Sequence, residues 1–248
     1  MILENIPTTR KGRRTLVACA IVATWWTRPS QRRLFSSVEI HEGNYKQWMN
    51  GIAFPGSRVH LLGCVRSLWH SCGLPTRTGY QIGHLPGSSG EYLSALRNLH
   101  SLTLCNIRVE HFREKVFHTC FSTFRETLTC LSLNTFTTPF SAFVTLVAYF
   151  PNITTLQLGS PELEPHGGGP VPSLSRPLRG KLNIRSLRGV RAECLRFFSW
   201  FAMLDLEYEE LVIDSPSFIV ETKFVESALQ ISTSSVKFLR LAKGLQRE

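Results

Sequence analysis

A six-residue pattern of apolar and polar positions returns along the second half of the chain. Its first, fourth and sixth positions are aliphatic, and clear copies begin at Leu99, Leu128, Ile153 and Val236. Because side chains alternate along a strand, the fourth and sixth positions share one face of an extended segment. A strand of this length cannot bury that face alone, so the pattern predicts units that stack on one another.

Two degenerate copies keep only the last apolar-x-apolar step, and they end at Ile184 and Ile213. Counted between final apolar positions, successive copies lie 25 to 29 residues apart. A period of this length with an LxxLxL phrase is the signature of leucine-rich repeats. We therefore predict an α/β fold, an irregular leucine-rich-repeat solenoid of short parallel strands with outer helices, over residues 38–248.

Helical spacing marks three of the segments between strands. Apolar residues recur at this spacing over 112–124, 140–150 and 195–202. Thr138 and Pro139 supply an N-cap and a proline at the first helical position of the second segment. These segments predict outer helices that pack an aromatic face on the sheet.

The pattern is less regular before residue 95. Residues 38–41 predict a first edge strand, and residues 61–70 predict a strand-like piece without the last leucine. Gly, Pro, Ser and Thr are frequent in 76–90, which predicts a loop. A segment rich in Gly and Pro at 162–177 predicts a flexible insertion between the third and fourth of these strands.

The composition is typical of a globular protein, and the net positive charge is concentrated near the N-terminus. The 248 residues are 43% hydrophobic, which is enough for a sizeable core. Of the net charge of +10, residues 1–33 carry +6, because they contain seven arginine and lysine residues against Glu4. The seven cysteines form no CxxC pair, and no secretory signal is recognisable, so reduced thiols in the cytosol or nucleus are expected.

An apolar run at 15–26 follows Arg13 and Arg14 and imitates the start of a signal peptide. Its twelve residues are too few to span a bilayer, which takes about 20. The run ends in Trp25 and Trp26 and lacks a small-residue cleavage site. The run therefore predicts a helix of the folded protein.

Residues 19–40 resemble the second half of an F-box as found in fungal F-box and leucine-rich-repeat proteins. The resemblance lies in a Cys-x-x-Val-x-x-x-Trp helix from Cys19 to Trp26, a basic turn, and an Arg-x-Leu-Phe-x-x-Val-x-Leu-like strand that reaches Ile40. It implies that residues 1–37 are a partial F-box-like helical segment with a basic tail. The Leu-Pro-x-Glu-type first helix of an F-box is missing or degenerate in residues 1–14.

F-boxes hold the linker subunit of a cullin-type (SCF-type) ubiquitin ligase, so the resemblance implies docking of that subunit here. The candidate docking residues are Leu16, Ile21, Val22, Trp26, Leu34 and Phe35.

A protein target is expected on the opposite part of the chain, at strand positions that point away from the leucine core. Phe238, Arg240 and Arg185 are the strongest candidate anchors by residue type. The full candidate set is Ser101, Thr103, Ser132, Asn134, Thr155, Gln157, Asn183, Arg185, Asp214, Phe238 and Arg240.

Motifs for catalysis or cofactor binding are absent from the sequence. It contains no nucleophile elbow, phosphate loop or dinucleotide fingerprint. His60, Cys64, His70 and Cys72 do not have the paired spacing of a zinc site. We therefore expect no catalytic residue, cofactor, metal, small-molecule substrate or membrane span.

The sequence thus predicts a non-catalytic protein-interaction scaffold that acts as a substrate-recognition adaptor of an SCF-type ubiquitin ligase. One alternative is a stand-alone leucine-rich-repeat binding protein without ligase docking. A less favoured alternative is a nucleic-acid-associated protein that uses the basic N-terminus.

Overall fold

A computed structural model describes most of the repeated strands and the segment before them. The described residues are 10–22, 24–41, 44, 59–71, 75–76, 79–80, 93–108, 120–137, 140–159, 184–190, 209–215 and 237–243. Their helices are α1 (Arg10–Val22), α2 (Thr24–Leu34), α3 (Val59–Leu62) and α4 (Phe140–Tyr149), with a 3-10 turn at Ser122–Phe124. The strands are β1 (Ser37–Ile40), β2 (Ser67–Ser71), β3 (Pro75–Thr76), β4 (Gly79–Tyr80), β5 (Ser101–Arg108), β6 (Cys130–Thr137), β7 (Thr155–Leu158), β8 (Ser186–Val190), β9 (Glu210–Ser215) and β10 (Phe238–Lys243).

Eight of these strands form one parallel sheet in chain order, β1-β2-β5-β6-β7-β8-β9-β10, while β3 and β4 pair separately as an antiparallel hairpin. The register aligns one apolar residue per strand across the whole sheet. The aligned residues are Val38, Leu68, Leu102, Leu131, Leu156, Leu187, Leu211 and Leu239. The α/β class and the parallel strands predicted from the sequence are thus confirmed.

A ladder of backbone hydrogen bonds joins each strand to the next, just before the sheet pairing begins. In most units one carbonyl accepts two N–H groups of the following unit, at 2.8 to 3.0 Å. These double acceptors are the carbonyls of Ser36, Arg66, His100, Thr129, Arg185 and Glu209. Each of them directly follows the first apolar position of its unit, so the ladder gives an independent marker of the repeat phase.

Side chains beside this ladder also bridge neighbouring units. Asn98 Nδ2 donates to the Gly63 carbonyl at 2.8 Å, and Asn152 Nδ2 donates to the Glu126 carbonyl at 2.7 Å. Thr127 Oγ1 donates to the Leu99 carbonyl at 2.8 Å. These bonds satisfy carbonyls at the turns that the strand pairing cannot reach. They also give Asn152, formally part of a glycosylation sequon, a structural role.

The core lies on the leucine face of the sheet and beneath the return segments. The first, fourth and sixth positions of the phrases at Leu99, Leu128 and Ile153 are all buried. Phe121, Phe124 and Phe150 form an aromatic cluster over this face, with ring centroids 5.7 to 6.1 Å apart. The predicted helix over 140–150 is confirmed as α4, and Phe143 on it stacks on the Phe136 ring.

Other return segments agree less well with the prediction. Of the predicted helix over 112–124, the structure describes residues 120–124, which contain a π-type turn at 120–121 and the short 3-10 turn. The predicted helix over 195–202 and the insertion over 162–177 lie outside the described residues. The predicted loop over 76–90 begins with part of the β3–β4 hairpin, and the strand-like piece at 61–70 is a short helix followed by β2.

The N-terminal segment differs from the F-box-like expectation at its second half. The predicted basic turn is helical, since α2 runs through Pro29 to Leu34. Phe35 N–H continues the helical hydrogen bonding to the Gln31 carbonyl at 2.9 Å, and Ser36 Oγ donates to the Arg33 carbonyl at 2.8 Å. The exit strand therefore does not include Leu34 or Phe35, and it begins only at Ser37.

The predicted phase of the degenerate copy that ends at Ile184 is wrong. Ile184 was expected to end its phrase, but it is buried ahead of β8, and Leu187 is the residue aligned with Leu156. Ile184 therefore occupies the first apolar position, and the sixth residue of the unit is Gly189, next to a register irregularity that pairs Val190 with Ile213. Because position 189 has no aliphatic side chain, the sequence pattern favours Leu182 and Ile184 as the last step of the phrase, which places it five residues too early.

Candidate functional site

The outward side of the sheet is the part of the fold that most resembles a binding surface. We define the open face as the side chains on either side of each aligned core residue, which alternation directs away from the core. These residues are Ser37, Glu39, Ser67, Trp69, Ser101, Thr103, Cys130, Ser132, Thr155, Gln157, Ser186, Arg188, Glu210, Val212, Phe238 and Arg240.

In the middle of the open face the side chains are small and partly buried. Ser101, Thr103 and Thr155 are half-buried, whereas Gln157 is exposed. Ser132 is only 3% exposed, so its predicted role as a partner contact does not fit the structure. A short outward side chain flanked by neighbouring strands can be covered as fully as a core residue, which residue type alone does not reveal.

Asn134 lies at the end of this middle region, and its contacts are with neighbouring units of the fold. It is half-buried, and its Nδ2 points at Cys105 Sγ at 3.8 Å. A Cβ atom built on Gly159 would lie 2.5 Å from Asn134 Oδ1, so only glycine leaves room for this amide. Asn134 is therefore held between two neighbouring units and serves packing.

The C-terminal part of the open face carries a charged network. Arg188 Nη2 lies 3.0 Å from Glu210 Oε2, and Arg188 Nε donates to Ser186 Oγ at 2.8 Å. Ser186 Oγ donates in turn to the same Glu210 oxygen at 2.6 Å. The three side chains hold one another, so the half-exposed guanidinium of Arg188 has a fixed orientation on the surface.

A second ion pair borders this network. Lys237 Nζ lies 2.8 Å from Glu209 Oε1. The hydrogen bond and charge of Lys237 lower the pKa of the Glu209 carboxyl, which stays ionised at neutral pH. Arg185 is exposed beside this border, but it belongs to the backbone ladder that precedes β8 and not to the outward positions of that strand.

Phe238 is the most exposed large apolar side chain that the described part of the chain contains. It is 67% exposed and begins β10, where its Cα partner is Glu210. The strand therefore places an aromatic ring directly beside the Arg188–Ser186–Glu210 network. We call Phe238 with these three residues the C-terminal patch.

The remaining candidates for target binding fall outside what the structure describes in full. Asn183 lies outside the described residues, and so do the side chains of Asp214 and Arg240, whose backbones lie on β9 and β10. In sequence, Asn183 stands one residue before Ile184, as Asn98 stands before Leu99 and Asn152 before Ile153.

The candidate docking residues of the N-terminal segment do not form one exposed surface. Leu16 is fully buried, and Leu34 and Phe35 are half-buried at the end of α2. Ile21, Val22 and Trp26 lie on α1 and α2, but their side chains lie outside the described residues. Among the side chains of this segment that the structure describes, Val17 is a large apolar one that is exposed, at 47%, and it is not in the candidate set.

Nine open-face residues are absent from the candidate set, among them Trp69, Ser186 and Arg188. Ser186 and Arg188 were missed because the phase of β8 was set from Ile184, and Trp69 because its unit has a histidine in place of the last leucine. An alignment on the first apolar position of each unit would have placed Trp69, Ser186 and Arg188 at outward positions.

Three chemically reactive side chains, Cys105, Cys120 and His70, are buried in the protein. Burial raises the pKa of the Cys105 thiol to about 11 and also raises that of Cys120, so both stay protonated. Burial lowers the pKa of His70 to about 4. No group of three metal-ligating side chains occurs within the described ranges, and no helix there is long and apolar enough to cross a membrane.

Comparisons with protein-family models, curated proteins and solved structures found no match to this chain.

Proposed function

We propose that this chain is a non-catalytic protein-interaction scaffold of the leucine-rich-repeat type, which binds a target protein on the open face. Its repeat character is supported by the sequential parallel strands, the aligned core residues and the carbonyl ladder, all of which recur once per unit. A stack of this kind presents a continuous outward surface, and repeat proteins use such surfaces for binding.

The C-terminal patch carries this proposal. Aromatic residues and arginine dominate the energetics of protein interfaces, and the patch offers one of each at neighbouring positions. The backbone of Phe238 is held on a strand, and the Arg188 guanidinium is held by two hydrogen bonds, so Arg188 has less side-chain freedom to lose on binding. A protein partner with an apolar pocket beside a carboxylate would match this arrangement.

Replacement of Phe238 by alanine tests the proposal. We expect target capture to fall tenfold or more, because truncating a central aromatic anchor costs about 2 kcal/mol or more of binding. The free energy of unfolding should change by less than about 0.5 kcal/mol, since the ring is exposed. Quantitative affinity capture from cell extract, with urea unfolding in parallel, measures both.

Arg97→Ala is the matched control for this capture, because Arg97 is exposed and lies ahead of β5, away from the C-terminal patch. Proteins that are lost with Phe238→Ala and also with Arg188→Ala, but are retained with Arg97→Ala, would support the patch. A capture profile that is the same for all three variants would contradict it.

A second candidate, the ubiquitin-ligase adaptor, rests on the resemblance of residues 19–40 to half an F-box. Two adjacent helices that lead into the first strand of the repeats are compatible with that role. Such an adaptor would act by proximity, because holding a target near a separate catalytic subunit raises its effective concentration.

The exposed Val17 allows this adaptor to be tested without disturbing the sheet. Removing residues 1–40 would also remove β1 and uncover β2, so a point substitution is the better choice. If the adaptor is correct, the intact chain co-purifies with the linker subunit and cullin, and Val17→Asp weakens this at least tenfold while Ala18→Asp, also exposed on α1, does not. Absence of linker subunit from the intact chain would exclude the adaptor and leave the scaffold untouched.

A further inference from the structure

Helices α1 and α2 present charge of a single sign. Arg13 and Arg14 on α1 and Arg28 and Arg32 on α2 are exposed, and the two helices pack against each other. No aspartate or glutamate occurs in the sequence from residue 10 to residue 38. Within the described part of the chain, none of these four guanidinium groups forms an ion pair with a carboxylate. We call these four residues the arginine patch.

The charge at the start of α1 opposes what helix stability favours. The N-terminus of a helix carries about half a positive charge, so acidic side chains stabilise the first turn and basic ones destabilise it. The first turn of α1 has no acidic residue, and it begins with Arg10 and Lys11. An anion bound at this end would offset the repulsion between the helix dipole and the basic side chains. In the absence of an anion, these basic side chains do not stabilise the helix.

The described side chains of α1 and α2 expose little large apolar surface. Leu16 is fully buried against the rest of the protein, which leaves Val17 as the large apolar side chain that α1 exposes in the described residues. Insertion into a bilayer requires a broad apolar helix face. A protein interface requires a buried central cluster. The described side chains of α1 and α2 show neither feature but include four exposed arginines, which favours electrostatic attraction.

We propose that the arginine patch binds the phosphate backbone of a nucleic acid without regard to sequence. The guanidinium group is a planar fork that matches phosphate geometry with two parallel hydrogen bonds. Arg28 and Arg32 are four residues apart and therefore share one face of α2. The site is distinct from the C-terminal patch, so one molecule can bind a protein target and a nucleic acid at once.

Binding of the intact chain to a fluorescein-labelled 20-base-pair DNA of arbitrary sequence, followed by anisotropy between 50 and 200 mM salt, tests this proposal. Four phosphate contacts give a slope of about −3 to −4 in log affinity against log salt, which is a loss of about 100-fold over this range. The double variant Arg13→Gln with Arg14→Gln should reduce that slope by about 2 and weaken binding at least tenfold at 100 mM salt.

The double variant Arg66→Gln with Arg97→Gln is the matched control, because it removes the same charge from exposed arginines outside the two helices. If it weakens binding as much as the patch variant, net charge and not the patch attracts DNA, and the proposal is wrong. Vesicles with 30% phosphatidylserine that bind when DNA does not would assign the patch to a membrane surface instead. Poly-glutamate that competes as well as unlabelled DNA would likewise overturn the nucleic-acid assignment.

Discussion

Lowering the pH from 7 to 4 is expected to remove about 3 kcal/mol of the free energy of unfolding through one side chain, His70. His70 lies on β2 at a position where β5 has Leu104 and β1 has Ile40. It is 3% exposed, so its imidazole sits in a row of aliphatic core residues. The sequence places an ionisable group where every regular unit has a leucine or isoleucine.

The direction of the effect follows from proton binding in the two states. Burial lowers the pKa of His70 from 6.5 to about 4 in the folded protein. Between these two values the unfolded chain binds a proton that the folded chain does not bind, so acid favours unfolding. The stability is complete above pH 6.5, decreases as the pH falls through this window, and reaches its full loss near pH 4.

Urea unfolding at half-unit steps from pH 7.5 to pH 4 measures this loss, and His70→Leu identifies its source. The variant places the leucine of the regular units in the same row, and its free energy of unfolding should vary less with pH by about 3 kcal/mol. His41→Gln, which removes an exposed histidine next to β1, should keep the wild-type dependence. An unchanged pH dependence in His70→Leu would show that His70 titrates normally.

The regular repeats were predictable because their apolar positions are also their core positions. At Leu99, Leu128 and Ile153, hydrophobicity alone sets the phase, and the strands β5, β6 and β7 begin two residues later in each case. The same periodicity of helical spacing located α4. In these units the local apolar pattern and the tertiary packing agree, so the sequence alone predicts the strand positions.

The errors arose where a unit lacks one of its apolar positions. In the unit of β8 the sixth residue is Gly189, and a register irregularity pairs Val190 with Ile213 instead; in β2 the last position is His70. A search for three aliphatic residues at fixed spacing therefore either shifted the phase or stopped short. The first position is the more constant one, since Phe35, Val65 and Ile184 fill it in irregular units. That position precedes the carbonyl ladder, whose double hydrogen bonds most units share.

The candidate site was harder to predict than the fold, because accessibility depends on neighbours that are distant in sequence. Ser132 and Gln157 have the same outward register, yet one is buried and the other exposed. The C-terminal patch required residues from β8, β9 and β10, and it could be assembled only once the phase of β8 was known. Phe238 alone was identified from its residue type and position.

Replacing Phe150 with alanine should lower the free energy of unfolding by about 3 to 5 kcal/mol, which is the range for removing a buried phenylalanine. Phe150 follows α4 and is fully buried. Its ring stacks on Phe124 at 6.1 Å, lies 5.8 Å from Phe121 and meets Tyr149 edge-on at 5.2 Å. Its truncation would leave a cavity between the return segments before β6 and before β7.

Phe238→Ala is the matched control, because it makes the same chemical change at a side chain that is 67% exposed. Urea unfolding of both variants at neutral pH should give the large loss for Phe150→Ala and less than about 0.5 kcal/mol for Phe238→Ala. Phe150→Leu should recover most of the loss, since it restores apolar volume. Equal stability of the two alanine variants would mean that the leucine rows alone hold the units together. The expected difference would instead mean that the aromatic cluster contributes a large share of the stability. This cluster joins one return segment to the next.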